Sequence, residues 1–372
     1  MPNLPIMTSS GILQPGVGPI SGRHYLRATG DTVLWGRLPC ARDTPVLTIE
    51  PGDTVTIDTI SHEGILDDQG SDPSAFFAGH GIGADQVLDD AVALARATGL
   101  RDRAADGPHV VTGPIHVRGA EPGELLTMTV LETLPRVPYG VISNRHGRGA
   151  LPGEFPRQPG TVSVFAALDP DTGEDWPAAR YAAMALRPGG PRTVRFPIAP
   201  FLGIMGVAVA GDVRPHSVPP GPHGGNLDIK LLTVGSSLHL PVQVPGALAY
   251  VGDPHFAQGD GEVALTALEA SLRVTVRFEV VGRAEALERF GTLTSVLGQT
   301  SDYLIPTGLD RDLDEAVRQC VRAAVALLEA RFGMDPAHAL AYLSAATDFD
   351  ISQVVDLVTG VHAKIRIADF GR

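Results

Sequence analysis

A stretch of twelve residues, GDPHFAQGDGEV at positions 252–263, concentrates polar side chains between two apolar segments. In extended backbone, where successive side chains alternate, Asp253 and His255 lie on the same side of the chain. A carboxylate and an imidazole are ligands that zinc and related divalent ions accept, with a position left for water. The same pair also occurs at turns that bind nothing, so this spacing alone leaves both interpretations open.

Two further polar clusters fall where predicted strands end. The segment SHEG contains His62, and the segment HGGNLD contains His223, Asn226 and Asp228. The three clusters share their position at strand–loop junctions, which favours one site built from all of them.

Other chemistries lack their motifs in this chain. The run GSSL at 235–238 is not the G-x-S-x-G nucleophile motif. The run GHGIG at 79–83 does not have the spacing of a dinucleotide-binding loop. Cys40 and Cys320 form no CxxC pair, and we interpret both as packing residues. A serine or cysteine nucleophile is therefore not expected.

Composition excludes several classes of partner. The net charge is −13 and the sequence pI is about 5.3, whereas nucleic acids and anionic membranes select basic surfaces. No segment approaches the ~20 apolar residues of a membrane span, and the first residues lack a secretory signal pattern. We expect a cytoplasmic protein that binds neither nucleic acid nor membrane.

Short apolar runs between dispersed glycines and prolines predict many short strands. Residues 45–64 and 109–134 each show a strand, a Pro-Gly turn and a second strand. Within them, IEPGDTVTI (49–57) and AEPGELLTM (120–128) share a pattern, which indicates either an internal duplication or one turn chemistry used twice.

The remaining patterns set the predicted organisation. A helix is predicted within 83–100, and residues 136–160 are predicted to form a long loop that could mark a subdomain break. We predict a β-rich catalytic body over 1–305 and a helical C-terminal portion over 306–372 packed on it. The fold class is α+β, predominantly β, with an antiparallel sandwich or barrel-like body.

The C-terminal portion shows the start and stop signals of three helices. Asp312 and Gly333 suit the two ends of the first, and Asp335 followed by proline opens the second. A third is predicted from Asp350 to Gly360.

The region from His223 to Val263, HGGNLDIKLLTVGSSLHLPVQVPGALAYVGDPHFAQGDGEV, resembles the signature region of the acetamidase/formamidase family. It contains the family's GGN-x-D-I-K turn, its G-S-x-x-x-x-P-V strand and its G-D-x-H-x-x-Q-G-D-G-E block. The resemblance extends to GPIHVRGAEPGELLTMTV and ISQVVDLVTGV and so covers most of residues 45–360.

The resemblance implies a β-rich fold, a homo-oligomer, and hydrolysis of short amides to a carboxylate and ammonia. It also implies a divalent metal ion, for which we expect zinc, with calcium as the alternative. Two segments depart from the family: DTISHEG replaces a run that ends in aspartate, and ALTALE, with Ala264, replaces a run that contains cysteine. These departures and the SNRHGRG loop (143–149) could mark a bulkier or different substrate.

A hydrolase without a serine or cysteine nucleophile must activate water, polarise the carbonyl group and protonate the departing nitrogen, and a bound metal ion supplies the first two. We predict Asp253 and His255 as metal ligands, with Asp228 and His62 completing the set. Glu262 is predicted as the general base and acid, with His255 also catalytic. The alternative for Glu262 is a surface position on a strand.

Asn226 and Gln258 are predicted to hydrogen-bond the substrate amide, and a turn position is the alternative for Gln258. Two rival functions stay open. One is hydrolysis of another C–N or ester bond, such as a cyclic amide. The other is binding of a small molecule without catalysis, because a shared fold does not guarantee activity.

Overall fold

The computed structural model describes residues 11–169 and 179–371, and strands dominate it. The helices are α1 Pro73–Ala78, α2 Asp89–Arg96, α3 Arg283–Phe290, α4 Leu313–Phe332 and α5 Pro336–Ala346. The strands, numbered β1 to β20 in chain order, are His24–Leu26, Val33–Trp35, Leu47–Ile49, Thr54–Asp58, Val110–Val117, Leu125–Pro135, Tyr139–Arg145, Thr161–Leu168, Tyr181–Ala185, Thr193–Pro197, Phe201–Gly206, Gly224–Asn226, Ser237–Pro241, Ala249–Ala257, Leu268–Glu269, Leu272–Val281, Leu297–Gln299, Tyr303–Asp310, Asp348–Gln353 and Thr359–Arg366.

The strands form two large sheets. The nine-stranded sheet has the order β1-β4-β16-β6-β13-β17-β18-β20-β19. The eleven-stranded sheet has the main path β10-β9-β8-β7-β15-β14-β11-β12, and β5 joins it through β14 and pairs with β2 and β3. Among the described strands, only the β1–β4 and β3–β5 pairings are parallel. The predicted class, predominantly β with antiparallel sheets, is confirmed.

The two sheets enclose the largest apolar core. Ile57 and Val276 from the nine-stranded sheet belong to the same buried cluster as Met205 and Val251 from the other sheet. Each such side chain stabilises the fold by ~1.5–3 kcal/mol through its removal from water. The core therefore holds together the strands that carry polar residues at their ends.

The two segments with the repeated Pro-Gly pattern connect the sheets in the same way. The first turn leads from β3 in the eleven-stranded sheet to β4 in the nine-stranded sheet. The second leads from β5 to β6 between the same two sheets. The shared sequence pattern thus has a shared structural role.

Two predicted segments have different bounds in the structure. The helix expected within 83–100 is only α2, preceded by a short 3-10 turn at Ala84–Gln86. The long loop expected at 136–160 is wrong at its start, because β7 pairs with β8 from Tyr139 to Arg145. Glycine and polar residues in β7 hide its alternation, since its buried polar residue Ser143 faces the interior.

The C-terminal portion contains two of the three predicted helices. Asp312 accepts hydrogen bonds from the first backbone N–H groups of α4, and Gly333 ends that helix with φ of 62°. The third predicted helix is wrong, because residues 348–353 form β19 against β20. The short apolar pattern fits a helix or a strand, and pairing with a neighbouring strand decides between them.

The predicted division at residue 305 stays a prediction. Strand β18 runs across that position, and both β18 and β20 extend the nine-stranded sheet. Among the helices in the described part of the chain, none has the combination of length and apolar character needed to cross a bilayer.

Candidate active site

A cavity of about 890 Å³ opens where loops from both halves of the chain meet. Acidic and imidazole side chains line its inner wall, among them His62, His109, Asp253, Glu262 and Glu269. All five are buried in spite of their polarity. Buried ionisable groups need partners, and a cluster of them at a cavity wall is a candidate functional site.

Strand β14 supplies the central pair. Asp253 and His255 lie on it and are buried, and the His255 ring packs edge-on against Phe201 of the neighbouring β11. The His255 Nε2 atom lies 3.1 Å from Asp253 Oδ2 and 3.0 Å from Glu269 Oε1. These three residues form one group whose ligand atoms could hold a metal ion.

Two more groups adjoin the first one. His62 Nδ1 lies 3.4 Å from Asp253 Oδ1, and His109 Nε2 lies 3.9 Å from the same oxygen. His109 is oriented by its other nitrogen, Nδ1, which lies 3.0 Å from the Ser217 hydroxyl oxygen. Asp228 lies in a third group of possible ligands with His255 and Glu262. Asp253 and His255 each belong to two of the three groups and so connect them.

The GGN segment of β12 and the turn that follows it bring Asp228 to the cluster. Gly224 and Gly225 have φ of 85° and 87°, and a Cβ on Gly224 would collide with the neighbouring strand β11. The Leu227 backbone N–H then donates to the Gly203 carbonyl oxygen at 2.9 Å. The GGN turn thus folds tightly over β11 and aims the next carboxylate at the cluster.

Gly203 of β11 forms the floor of the cluster. A Cβ at this position would lie 2.7 Å from both Asp253 Oδ2 and His255 Cε1, and closer still to Asp228 Oδ1. The side chains of Asp228, Asp253 and His255 therefore converge on one point. Sequence analysis predicted their convergence but did not single out the glycine that allows it.

Three carboxylates of the site have unusual backbone conformations. Asp228, Asp253 and Glu262 have φ of 49°, 50° and 46°. Left-handed backbone is uncommon for residues other than glycine and costs on the order of 1–3 kcal/mol where the surrounding structure enforces it. Such strain collects at functional sites, and here it is found at three residues that face one another.

Burial shapes the protonation of the acids. It raises the pKa of Asp228 to about 7, an effect that His255 opposes. Burial first, and then the charge of Asp228, raise the pKa of Glu262 and of Asp356 well above the ordinary range. Burial and the neighbouring carboxylates thus favour the protonated forms of these carboxyl groups, more strongly than His255 opposes them. A cation among them would favour the ionised forms.

The imidazole of His62 is held by acids on both sides. Burial alone would lower its pKa, but the neighbouring carboxylates of Asp253, Glu63 and Glu269 outweigh burial and raise it to about 10. Glu63 also accepts hydrogen bonds from the Ser143 hydroxyl and, at 3.0 Å, from Arg145 Nη2. These hydrogen bonds hold Glu63 in place, and Glu63 in turn holds the His62 ring in the loop that follows β4.

The donor set fits a divalent cation. Among the described residues, buried ligand atoms with no hydrogen-bond partner include His62 Nδ1, His255 Nδ1, Asp253 Oδ1, Glu269 Oε2 and both carboxylate oxygens of Asp228. Orphaned buried polar atoms are rare and require an explanation, of which an ion is one. The mixture of imidazole and carboxylate suits zinc better than calcium, which prefers oxygen ligands alone.

The predicted site residues fall into two sets. His62, Asn226, Asp228, Asp253, His255 and Glu262 are all buried at the cluster or in the cavity wall. Gln258 has a different place: its Nε2 donates to the Asp228 carbonyl at 2.8 Å and to the Ser352 carbonyl at 3.2 Å. Its amide ties two backbone segments together and lies outside the lining of this cavity.

Sequence reasoning missed three residues of the site: His109, Glu269 and Asp356. His109 directly precedes β5, and Glu269 lies between the buried Leu268 and Ala270. A charged residue inside an apolar run was the available signal for Glu269. Asp356 follows β19, in the segment that was predicted to be helical.

Residues 211–368 match the sequence model of the Acetamidase/Formamidase family. The chain is 27% identical over 316 residues to a formamidase of Methylophilus methylotrophus, covering 70% of this chain and 76% of that protein. It is 30% identical over 213 residues to an acetamidase of Mycolicibacterium smegmatis, covering 45% of this chain and 52% of that protein.

A solved structure shows the same architecture over nearly the whole chain. An acetamidase from Bacillus halodurans superposes with a TM-score of 0.69 at 25% identity, covering 93% of this chain and 98% of that one. The resemblance identified from the sequence is therefore confirmed: residues 211–368 match the acetamidase/formamidase family, and the relatives and the solved structure named above are amidases of this kind.

Proposed function

We propose that this protein is a metal-dependent amidase that hydrolyses a carboxylic amide with water to a carboxylate and ammonia. One observation supports this most strongly: three groups of buried possible ligands, linked to one another through Asp253 and His255, lie at the wall of an open cavity. The formamidase and acetamidase relatives supply the reaction class. Cytoplasmic location and homo-oligomeric assembly stay predictions.

The ion would be held by Asp228, Asp253 and His255, with His62 and His109 on the adjoining side. When bound, a zinc ion can polarise the amide carbonyl and lower the pKa of a water molecule to about 7. The remaining tasks, which are orientation of the amide and movement of protons, belong to this chain's own side chains.

Glu262 is suited to move the protons. Its carboxyl group is buried next to Asp228, which raises its pKa, and it lines the cavity. In its ionised form, which a nearby cation favours, this carboxylate can take a proton from water and, as the acid so formed, give that proton to the departing nitrogen, which typically contributes ~10²–10⁴-fold. Protonation is needed because ammonia leaves readily only as the neutral molecule.

Asn226 is suited to orient the substrate. Its side chain is buried at the cavity wall, and its Oδ1 has no hydrogen-bond partner among the described residues. A primary amide offers N–H donors that such an acceptor can bind. A buried acceptor left without a donor costs ~1–3 kcal/mol, so this atom favours ligands that carry an N–H group.

Ammonia release from formamide, acetamide, propionamide and butyramide tests the proposal, with metal content measured on the same sample. We expect release that stops after chelation and returns with zinc. Asp253→Asn should lose both zinc and activity. Asp260→Asn is the control, because Asp260 lies in the same polar segment but forms an ion pair with Lys230. Full activity in metal-free protein would refute the metal requirement.

A further inference from the structure

The cavity is large for the smallest amides. Its volume of about 890 Å³ lies in the upper part of the ~300–1,000 Å³ range of sites for drug-sized ligands. Acetamide has only four non-hydrogen atoms and displaces the volume of a few water molecules, each ~30 Å³. Most of the cavity would stay filled with water around such a substrate, so its outer part has room for a longer one.

The outer wall includes the SNRHGRG loop that the sequence set apart. Within it, the backbone N–H of Arg148 donates to the backbone carbonyl of Arg145 at 3.0 Å, which closes a turn. The Asn144 Nδ2 donates to the Ala264 carbonyl at 2.6 Å, and the Ala150 N–H donates to the Val263 carbonyl at 3.0 Å. The loop is thus fastened to the residues that directly follow Glu262, at the very segment where the family's cysteine-containing run is replaced.

The arginines that line the cavity differ in their ion pairs. Arg103 pairs with Asp67 at 3.0 Å, and Arg145 pairs with both Glu63 and Asp68. Arg148 also lines the cavity and is exposed, yet its guanidinium has no hydrogen bond or ion pair among the residues that the structure describes.

The positive charge of Arg148 also affects His216, another residue of the cavity lining. The pKa of His216, which lines the same cavity, is lowered first by burial and then by positive charge, to which Arg37, Arg148 and Arg101 contribute and which Asp106 opposes. An exposed arginine without an ion-pair partner can attract an anion and add to its rate of association.

Resting on the amidase function proposed above, we propose that Arg148 binds a carboxylate at the far end of the substrate, so that the preferred substrates are monoamides of dicarboxylic acids. The planar guanidinium presents paired N–H donors that match a carboxylate. A doubly charged phosphate fits less well, because Asp67, Asp68 and Asp106 line the same mouth. The amide end would reach Asn226 and Glu262, while the carboxylate end stays at the loop.

Steady-state kinetics with matched pairs of amides test this proposal. Succinamate and glutaramate are compared with butyramide and pentanamide, which have the same chain lengths without the carboxylate. We expect the wild type to favour the carboxylate-bearing amides at least about tenfold in kcat/KM, equivalent to ~1.4 kcal/mol. Arg148→Gln should remove most of this ratio through a higher KM, and Arg148→Lys should keep part of it.

Arg157→Gln is the matched control, because Arg157 is exposed in the same stretch of chain but does not line the cavity. This variant removes the same charge and should leave the ratio unchanged. A wild type that hydrolyses both classes equally, or an Arg148→Gln ratio equal to that of the wild type, overturns the inference and leaves the amidase function standing.

Calorimetric binding of glutarate separates the two proposals. If no amide releases ammonia, the amidase function fails. In that case the carboxylate contact of Arg148 is still supported if glutarate binds the wild type about tenfold more tightly than it binds Arg148→Gln. The contact is refuted if the two affinities agree. Inorganic phosphate that binds the wild type more tightly than glutarate would also overturn the assignment of a carboxylate.

Discussion

Gly203 provides the sharpest test of the site, because its missing side chain leaves the space that the ligands occupy. In Gly203→Ala the new Cβ would lie 2.7 Å from Asp253 Oδ2 and from His255 Cε1. To reach the 3.4 Å of an ordinary contact, each of these atoms must move by about 0.7 Å. Asp228 must move further, and its backbone is already in a left-handed conformation.

The size of the effect follows from these displacements. Misplacement by ~1 Å at a reacting centre costs on the order of 10²-fold in rate. Disturbing the groups around a metal ligand typically costs ~10–100-fold in metal affinity. We therefore expect Gly203→Ala to lower kcat/KM about 100-fold and to lose zinc at concentrations that saturate the wild type. Overpacking alone costs ~1–3 kcal/mol, so the protein should still fold.

Three measurements on the same preparation decide the outcome: kcat/KM for amide hydrolysis, zinc content and the midpoint of thermal unfolding. Gly259→Ala is the control, because this glycine lies in the same polar stretch but has open space around its Cβ position. It should match the wild type in all three. A folded Gly203→Ala protein with full zinc content and normal kcat/KM would refute the close convergence of the ligands.

Three further outcomes follow from the structure. Glu262→Gln should lower kcat by ~10²–10⁴-fold, with a smaller change in KM, and an unchanged kcat would exclude Glu262 from proton transfer. Removal of bound zinc should lower the midpoint of thermal unfolding, because the clustered acids then lose their counter-charge, and added zinc should restore it. The Glu50 N–H and then His24 lower the pKa of Asp53 to about 2. The stability that Asp53 contributes is therefore present above about pH 4 and is lost as pH falls towards about 2, and Asp53→Asn should show a smaller decline over that range.

The sequence predicted those parts of the fold that depend on local chemistry. The caps at Asp312 and Asp335 begin helices as expected, because each side chain accepts N–H groups of the first turn. The Pro-Gly turns separate strands where predicted. The segment after Asp350 was misassigned because its short apolar pattern suits either element, and only β20 decides which one forms.

The sequence likewise predicts most directly those parts of the site whose residues lie close together along the chain. Asp253 and His255 lie two residues apart on one strand, so the sequence itself places them close together. Glu269 comes from β15 and His109 from the segment just before β5, and both approach only through sheet pairing and loop packing, which spacing along the chain does not reveal. The substrate contact predicted for Gln258 stays a prediction: its Nε2 donates to two backbone carbonyls, and the residue lies outside the cavity lining.

The last strands of the chain complete the site wall. The Gly261 N–H donates to the Ser352 carbonyl at 3.0 Å, and the Val354 N–H donates back to the Gly261 carbonyl at 3.2 Å, immediately before Asp356 enters the cavity wall. During synthesis at ~5–20 residues per second, the ribosome has delivered most of both sheets before this segment emerges. A nascent polypeptide can thus gain much of its architecture while the pocket is still open on one side, and the pocket should close only once residues 348–356 have joined the sheet.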